Sequence, residues 1–149
     1  MRLKQEQFVP FMIAIAVITM LVIIYSSFHF NNKQQERFRQ NLVESDSLSL
    51  KYMRIIGESD SVRISDLKGK RSVVVFWASW SEKSELMMIE IEKAQFESDS
   101  LQVIAALVKD AEESLPTEKE FPTFVYTDGT EIFNDLKVPG YPSYIVFDE

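Results

Sequence analysis

The hydrophobic residues of this chain fall into one long uninterrupted run and a later series of short runs. The long run covers residues 8–28, which are 21 residues without a charged side chain. A helix of this length crosses the roughly 30 Å hydrocarbon layer of a bilayer, so the run predicts one transmembrane helix. A cleaved signal peptide is the alternative. Its apolar core is usually about 7–15 residues long and ends in a small-residue cleavage site, which the sequence does not show.

The charged residues before this run predict its orientation. Arg2 and Lys4 precede the span, and basic side chains favour the cytoplasmic side of a membrane. We therefore expect residues 1–7 to be cytoplasmic and the rest of a single-pass chain to be extracytoplasmic, in the periplasm where there is one. Basic residues at 33, 37 and 39 follow the span closely and weaken this signal.

Residues 29–49 are mostly polar and separate the span from a domain over residues 50–149. Within residues 31–47 the sizeable apolar side chains are Phe38, Leu42 and Val43, at roughly helical spacing. This thin stripe predicts a stalk or juxtamembrane helix that packs on the adjoining domain. A partner-binding helix is the less favoured interpretation.

The short runs after residue 50 alternate between strand and helix patterns. Residues 73–76 form a continuous apolar run, and residues 101–108 are apolar except for Gln102; such runs are typical of strands buried on both faces. Between them, Ser81 is placed to cap a helix. The order of strand, helix and strand predicts a right-handed βαβ unit within an α/β domain.

The remaining elements are predicted from the same kind of pattern. A β-hairpin is expected over residues 50–64, further strands over 121–126 and 144–147, and a helical turn over 130–138. The helix after Ser81 is expected to present apolar side chains to the core at spacings of three and four. The positions at this spacing are Leu86, Ile89, Lys93 and Phe96, and Met87, Met88 and Ile91 broaden the apolar face.

Charge and composition exclude several functions. From residue 31 onward there are 22 acidic residues (23 less Glu6) against 14 basic ones (16 less Arg2 and Lys4), a balance that argues against a nucleic-acid partner. The chain has no cysteine, and its one histidine, His29, lies at the membrane boundary. A zinc site or a Ser-His pair within the domain is therefore not expected.

No cofactor or metal site is predicted. The four glycines are too dispersed for a phosphate-binding loop. Glu82 and Glu85 could hold a divalent ion, but acidic side chains are common in the first turn of a helix, where they face its positive dipole end.

The junction between the first buried strand and its helix carries a recognisable motif. Residues 76–84 read F-W-A-S-W-S-E-K-S, which resembles the active-site turn W-A-x-W-C-x-x-C of the thioredoxin superfamily. L-K-G-K at 67–70 and G-Y-P-S at 140–143 are similar to the membrane-anchored thiol-disulfide oxidoreductases of the TlpA type. The resemblance implies a thioredoxin-like fold, with a central mixed sheet, flanking helices and a cis proline at Pro142 facing the turn.

The same resemblance implies that Ser81 and Ser84 stand where relatives carry the redox cysteines. Met87 and Ile89 also depart from the family, where a glutamate and a helix-kinking proline are frequent. Disulfide exchange needs a thiolate, and a serine hydroxyl stays protonated and forms no exchangeable bond to sulfur. We therefore predict no catalytic residue.

The favoured hypothesis is a redox-inactive module that binds a protein or an extended peptide in a groove beside the turn. The residues implied by the resemblance are Trp77, Trp80, Ser81, Glu82, Lys83, Ser84, Tyr141 and Pro142. Two alternatives remain open. One is a thiol-disulfide oxidoreductase, for disulfide reduction or cytochrome c maturation, seen as a cysteine-free variant or fragment. The other is a remnant without activity.

The resemblance also implies one further strand and a helix after the strand that ends at Phe147. The sequence given ends at Glu149. We therefore expect the strand over residues 144–147 to have an exposed edge.

Overall fold

A computed structural model of the chain describes residues 5–44, 46–98, 100–115 and 120–148. Residues 1–4 of the predicted cytoplasmic segment and the terminal Glu149 lie outside the described residues. The helices and strands, in chain order, are α1 (Gln5–Glu44), β1 (Tyr52–Arg54), β2 (Ser61–Arg63), β3 (Ser72–Trp77), α2 (Glu82–Glu97), β4 (Gln102–Leu107), β5 (Val125–Asp128), α3 (Thr130–Asp135) and β6 (Ser143–Phe147).

Helix α1 continues without a break through the predicted span and most of the predicted stalk. It is the one helix among the described residues that is long and apolar enough to cross a membrane, and its apolar part is not buried in the structure. At its other end, Phe38 and Leu42 pack partly buried against the domain. Asn41 Nδ2 donates a hydrogen bond of 3.1 Å to the Leu136 carbonyl. The helical interpretation of the stalk agrees with this structure, and a 3₁₀ helix (Asp46–Leu50) leads into the domain.

The domain is built on a four-stranded mixed sheet in the order β5-β4-β3-β6. Strand β3 is buried along its whole length, parallel to β4 and antiparallel to β6. Strands β4 and β5 are also parallel. The strand-helix-strand order and the predicted hairpin are both present, the hairpin as the antiparallel pair β1 and β2. Within the part of the chain that the structure describes, β6 is an edge strand, as expected.

Two apolar clusters lie on opposite faces of this sheet. We call the first the hairpin face, where Val74, Phe76 and Ile104 are covered by the β1–β2 hairpin, α3 and the end of α1. We call the second the α2 face, where Val75 and Val103 are covered by Met88 of α2 and by Phe121, Phe124 and Tyr126. Consecutive residues of β3 thus alternate between two cores, which explains why the strand shows no polar position from Val73 to Trp77.

The predicted core face of α2 is wrong at both of its ends. Leu86 is 63% exposed and Phe96 is 73% exposed, whereas Ser84 and Met88 are buried. The physical reason is that Ser84 points inward to accept a hydrogen bond from the backbone N–H of Ala78. The helix is therefore rotated relative to the face that apolar spacing alone predicts.

The third predicted strand is shifted along the sequence. Residues 121–124 form a turn in which the Phe124 N–H donates to the Phe121 carbonyl at 3.2 Å, and the strand begins at Val125. Both phenylalanine rings are buried and stack with centroids 5.2 Å apart. Their apolar character reflects packing of this turn under the sheet rather than participation in it.

Candidate functional site

The candidate site begins at the turn that joins β3 to α2, at the carboxyl end of the parallel strands. Ser81 is the N-cap of α2, and its Oγ accepts a hydrogen bond of 3.3 Å from the Ser84 N–H. Glu82 and Glu85 lie in the first turn of the helix, where their charge favours the positive end of its dipole. Ser81 therefore opens the helix, as its position in the sequence predicted.

Ser84 is fully buried beneath the same turn. Its Oγ accepts a hydrogen bond of 3.3 Å from the Ala78 N–H, and Ala78 is itself buried. A buried backbone N–H without an acceptor is costly, so this hydroxyl stabilises the path of the chain out of β3. Ser84 therefore has a structural role inside the turn.

Facing this turn is the segment that leads into β6. The Tyr141–Pro142 peptide bond is cis. Trp80 is 64% exposed, and its ring meets that of Tyr141 edge to face with centroids 5.4 Å apart. Tyr141 in turn lies 6.2 Å from the ring of Phe133, a buried residue of the hairpin face. The structure thus brings the predicted residues Trp80 and Tyr141 together, and Tyr141, which precedes Pro142, rests on an aromatic support that reaches into the core.

A cavity of about 860 Å³ lies beside Pro142 and extends along β6. Its walls include Phe38, Arg39 and Leu42 of α1 as well as Pro142 and Tyr144. The sequence predicted that the apolar stripe of α1 packs on the domain but not that it lines a cavity beside Pro142, because contacts between residues about 100 positions apart leave no local pattern. Within the described residues, no group of three or more histidine, cysteine or acidic side chains could hold a metal ion.

Comparison with known proteins supports the fold described above, through one relative by sequence and two solved structures. No family model matches the chain. The chain is 34% identical over 103 residues to the Thioredoxin-like protein YneN of Bacillus subtilis (strain 168), an alignment that covers 62% of this chain and 58% of that protein. It therefore spans little more than half the length of this relative.

Two solved structures resemble the fold. The structure of MTB dsbF in its mixed oxidized and reduced forms matches with a TM-score of 0.59 and 16% identity, covering 68% of this chain and 78% of that one. A secreted Mycobacterium tuberculosis disulfide oxidoreductase homologous to E. coli DsbE matches with a TM-score of 0.58 and 12% identity over the same shares. The domain has a thioredoxin-like fold.

In this thioredoxin-like domain, Ser81 and Ser84 lie at the turn between β3 and α2, where the resemblance of the sequence motif implies a cysteine pair. The chain contains no cysteine, which fits the interpretation that serine replaces both cysteines. The thioredoxin-like fold is thus present in a chain that has no thiol for disulfide exchange.

The structure places Trp77 beneath the thioredoxin-like turn rather than along its surface. Trp77 is only 8% exposed and packs edge to face on Tyr126, with centroids 5.8 Å apart. Its indole Nε1 is buried without a hydrogen-bond partner among the described residues. By contrast, Glu82 and Lys83 are exposed at the start of α2. Of the two tryptophans, Trp80 is therefore the one available to a ligand.

Sequence reasoning also missed Asp110, which follows β4. Its Oδ2 accepts hydrogen bonds from the Ser79 N–H at 2.7 Å and from the Ser79 Oγ at 2.6 Å. Burial raises the pKa of the Asp110 carboxyl, but hydrogen bonds from Ser79, Ser114 and Ala111 outweigh it and hold the pKa below the usual 3.8. The available signal was topological. An acidic residue directly after a strand parallel to β3 lies beside the turn that follows β3.

Proposed function

We propose that this chain is a membrane-anchored, extracytoplasmic thioredoxin-like module without redox activity that binds an extended polypeptide beside Trp80, Tyr141 and Pro142. The observation that carries the proposal is the pair of serines at the redox positions, one of them buried as a backbone acceptor, next to an exposed tryptophan. The site thus keeps a surface for binding and lacks the sulfur atoms for exchange.

The absence of redox activity follows from the chemistry of the hydroxyl group. Disulfide exchange proceeds by attack of a thiolate on a disulfide sulfur, and serine supplies no thiolate and forms no exchangeable bond to sulfur. The positive dipole end of α2, which would lower the pKa of a thiol at residue 81, has no comparable effect on the serine hydroxyl at physiological pH. No residue is therefore proposed as catalytic.

The binding role rests on the aromatic pair and on the adjoining strand. Exposed tryptophan and tyrosine side chains are typical anchors of protein interfaces, since they bury a large area at low conformational cost. Strand β6 begins directly after Pro142 and lies at the edge of the sheet. An extended polypeptide can pair with such a backbone through main-chain hydrogen bonds, a mode that needs no thiol.

Membrane anchoring is part of the same proposal. The apolar part of α1 is exposed along its length, and lipid is the environment in which such a helix is stable. The basic residues Arg2 and Lys4 support a cytoplasmic N-terminus under the positive-inside rule. The thioredoxin-like domain would then lie on the extracytoplasmic side, in the periplasm of a cell with two membranes.

Insulin reduction by the full chain in detergent tests the redox part of the proposal. We expect no turnover above a protein-free control, because no thiol is available. The double variant S81C/S84C is the matched positive control for a preserved turn. Turnover by the unmodified chain would overturn the proposal in favour of an oxidoreductase.

Photo-crosslinking in intact membranes tests the binding part. A benzophenone side chain at position 141 would lie in the proposed site, whereas the same side chain at Tyr52, which is 61% exposed on β1, would lie outside it. We expect crosslinked protein at 141 and none at 52, with W80A reducing capture at 141 at least several-fold. Equal capture at both positions, or none at 141, would contradict the proposal.

A further inference from the structure

A short loop after β4 contacts both halves of the proposed binding site. Strands β3 and β4 are parallel with Trp77 opposite Leu107, so the residues that follow each strand emerge side by side. Lys109 adopts a left-handed backbone conformation with φ of 53°, which is uncommon for a side chain other than glycine. This turn brings Asp110 against Ser79.

The Asp110 carboxylate holds Ser79 at two atoms. One oxygen, Oδ2, accepts from both the backbone N–H and the Oγ of Ser79, at 2.7 and 2.6 Å. The other, Oδ1, accepts from the Ala111 N–H at 2.9 Å, which fixes the orientation of the carboxylate. Because Ser79 directly precedes Trp80, this contact restrains the backbone from which the Trp80 ring projects.

Lys109 supports the facing half of the site. Its Nζ lies 5.6 Å from the centroid of the Phe133 ring, and Phe133 supports Tyr141. Trp80 itself is mostly exposed, and Tyr141 is its aromatic neighbour. The direction of the Trp80 ring therefore depends on the restraint of its backbone more than on packing around the ring.

We propose that Asp110 is a positioning residue of the binding site, which holds the Ser79–Trp80 turn so that the Trp80 ring stands against Tyr141 beside Pro142. The meaning of this role for binding rests on the proposed function. An aromatic side chain that is already ordered loses less conformational entropy when a ligand binds, and such preorganisation is worth roughly 2- to 10-fold in affinity for one side chain.

Trp80 fluorescence in the full chain tests this role directly. The chain has two tryptophans, so W77F leaves Trp80 as the single reporter. In that background we expect D110A to increase acrylamide quenching of Trp80 and to add a fast component to its anisotropy decay. S79A, which removes the side-chain hydrogen bond and leaves the backbone one, should show a smaller effect of the same kind and serves if D110A does not fold.

Asp128 provides a matched control. It lies at the end of β5, the next parallel strand, where its Oδ1 accepts from the Thr130 N–H at 3.0 Å. D128A should leave Trp80 quenching unchanged. If D110A leaves it unchanged as well, or if D128A raises it as much as D110A does, the positioning role is overturned.

A second readout separates this inference from the proposed function. Crosslinking from position 141 should fall roughly 2- to 10-fold in D110A and remain unchanged in D128A. Trp80 mobility that rises in D110A supports the positioning role even where position 141 captures nothing, a result that overturns only the binding function. Undiminished capture in a D110A chain with mobile Trp80 would overturn the proposed effect on binding.

Discussion

The two faces of the central sheet differ in how completely they are covered by the described chain. On the hairpin face, Phe76 and Val74 lie under the β1–β2 hairpin, α3 and the end of α1, and both are essentially inaccessible. On the α2 face, a groove of about 470 Å³ remains between α2 and β6. Leu86 and Tyr144 line it and are more than half exposed.

An apolar run in the sequence therefore does not show by itself how deeply each side chain is buried or how much it stabilises the domain. Val73, Val74 and Val75 are identical in type and adjacent in sequence, yet Val74 packs in one core while Val73 borders the groove on the other face. The hairpin face should therefore contribute most of the stability of the domain, and substitutions on the two faces can test this.

The largest effect is expected for F76A on the hairpin face. Phe76 is fully buried and packs edge to face on Phe133, so its truncation should lower the free energy of unfolding by about 3–5 kcal/mol. The measurement is urea unfolding of the full chain in detergent. Y144A is the control, since its side chain is 55% exposed, and a loss for Y144A equal to that for F76A would remove the contrast between the faces.

A smaller loss is expected for M88A on the α2 face. Met88 is fully buried, and methionine truncation in a core costs about 2–5 kcal/mol. We expect the lower part of this range, because the adjoining groove lets neighbouring side chains relax into the space. Leu86 lies on an exposed side of the same helix, so L86A should change the free energy of unfolding by no more than about 0.5 kcal/mol. A larger loss of stability for L86A than for M88A would instead support the helix face that apolar spacing predicted.

The next smaller losses of stability are expected for substitutions of Ser84 and Ser81, and the two losses should differ. S84A would leave the buried Ala78 N–H without its acceptor, at a cost of about 1–3 kcal/mol in the free energy of unfolding. S81A removes a partly exposed N-cap and should cost about 1 kcal/mol. S84C, which keeps a weak acceptor, should recover part of the loss. Equal costs for S81A and S84A would argue against the buried role of Ser84.

The smallest expected effect is the pH-dependent stabilisation by Asp110, which follows β4. Hydrogen bonding lowers the pKa of this carboxyl in the folded chain below 3.8, so its stabilisation is present above that pH and is lost as the pH falls through the folded-state pKa. At pH 6, D110N should be less stable than the unmodified chain by about 0.5–1 kcal/mol. The gap should shrink below pH 3.8, and a gap that widens in acid would contradict this assignment.

Local sequence signals predicted most of the fold and only part of the site. The β-branched run of β3, the capping position of Ser81 and the Pro-Gly turn before β6 each act through neighbouring residues, so they can be recognised without a structure. The inward position of Ser84, the contact of Asp110 with Ser79 and the burial of Trp77 depend on residues brought together by the sheet. Apolar spacing cannot predict such contacts, because it assumes that leucine is buried and serine is exposed.

The unbroken course of α1 has a consequence for where this domain can act. About ten helical residues separate the end of the apolar run at Phe28 from Phe38, which touches the domain core, and ten residues of helix measure roughly 15 Å. Under the proposed anchoring, the helix acts as a rigid spacer that holds the domain at a fixed distance from the membrane, unlike a flexible linker. Trp80 and Tyr141 would then contact only polypeptides close to the bilayer surface. These would be polypeptides that emerge from the membrane or lie along it.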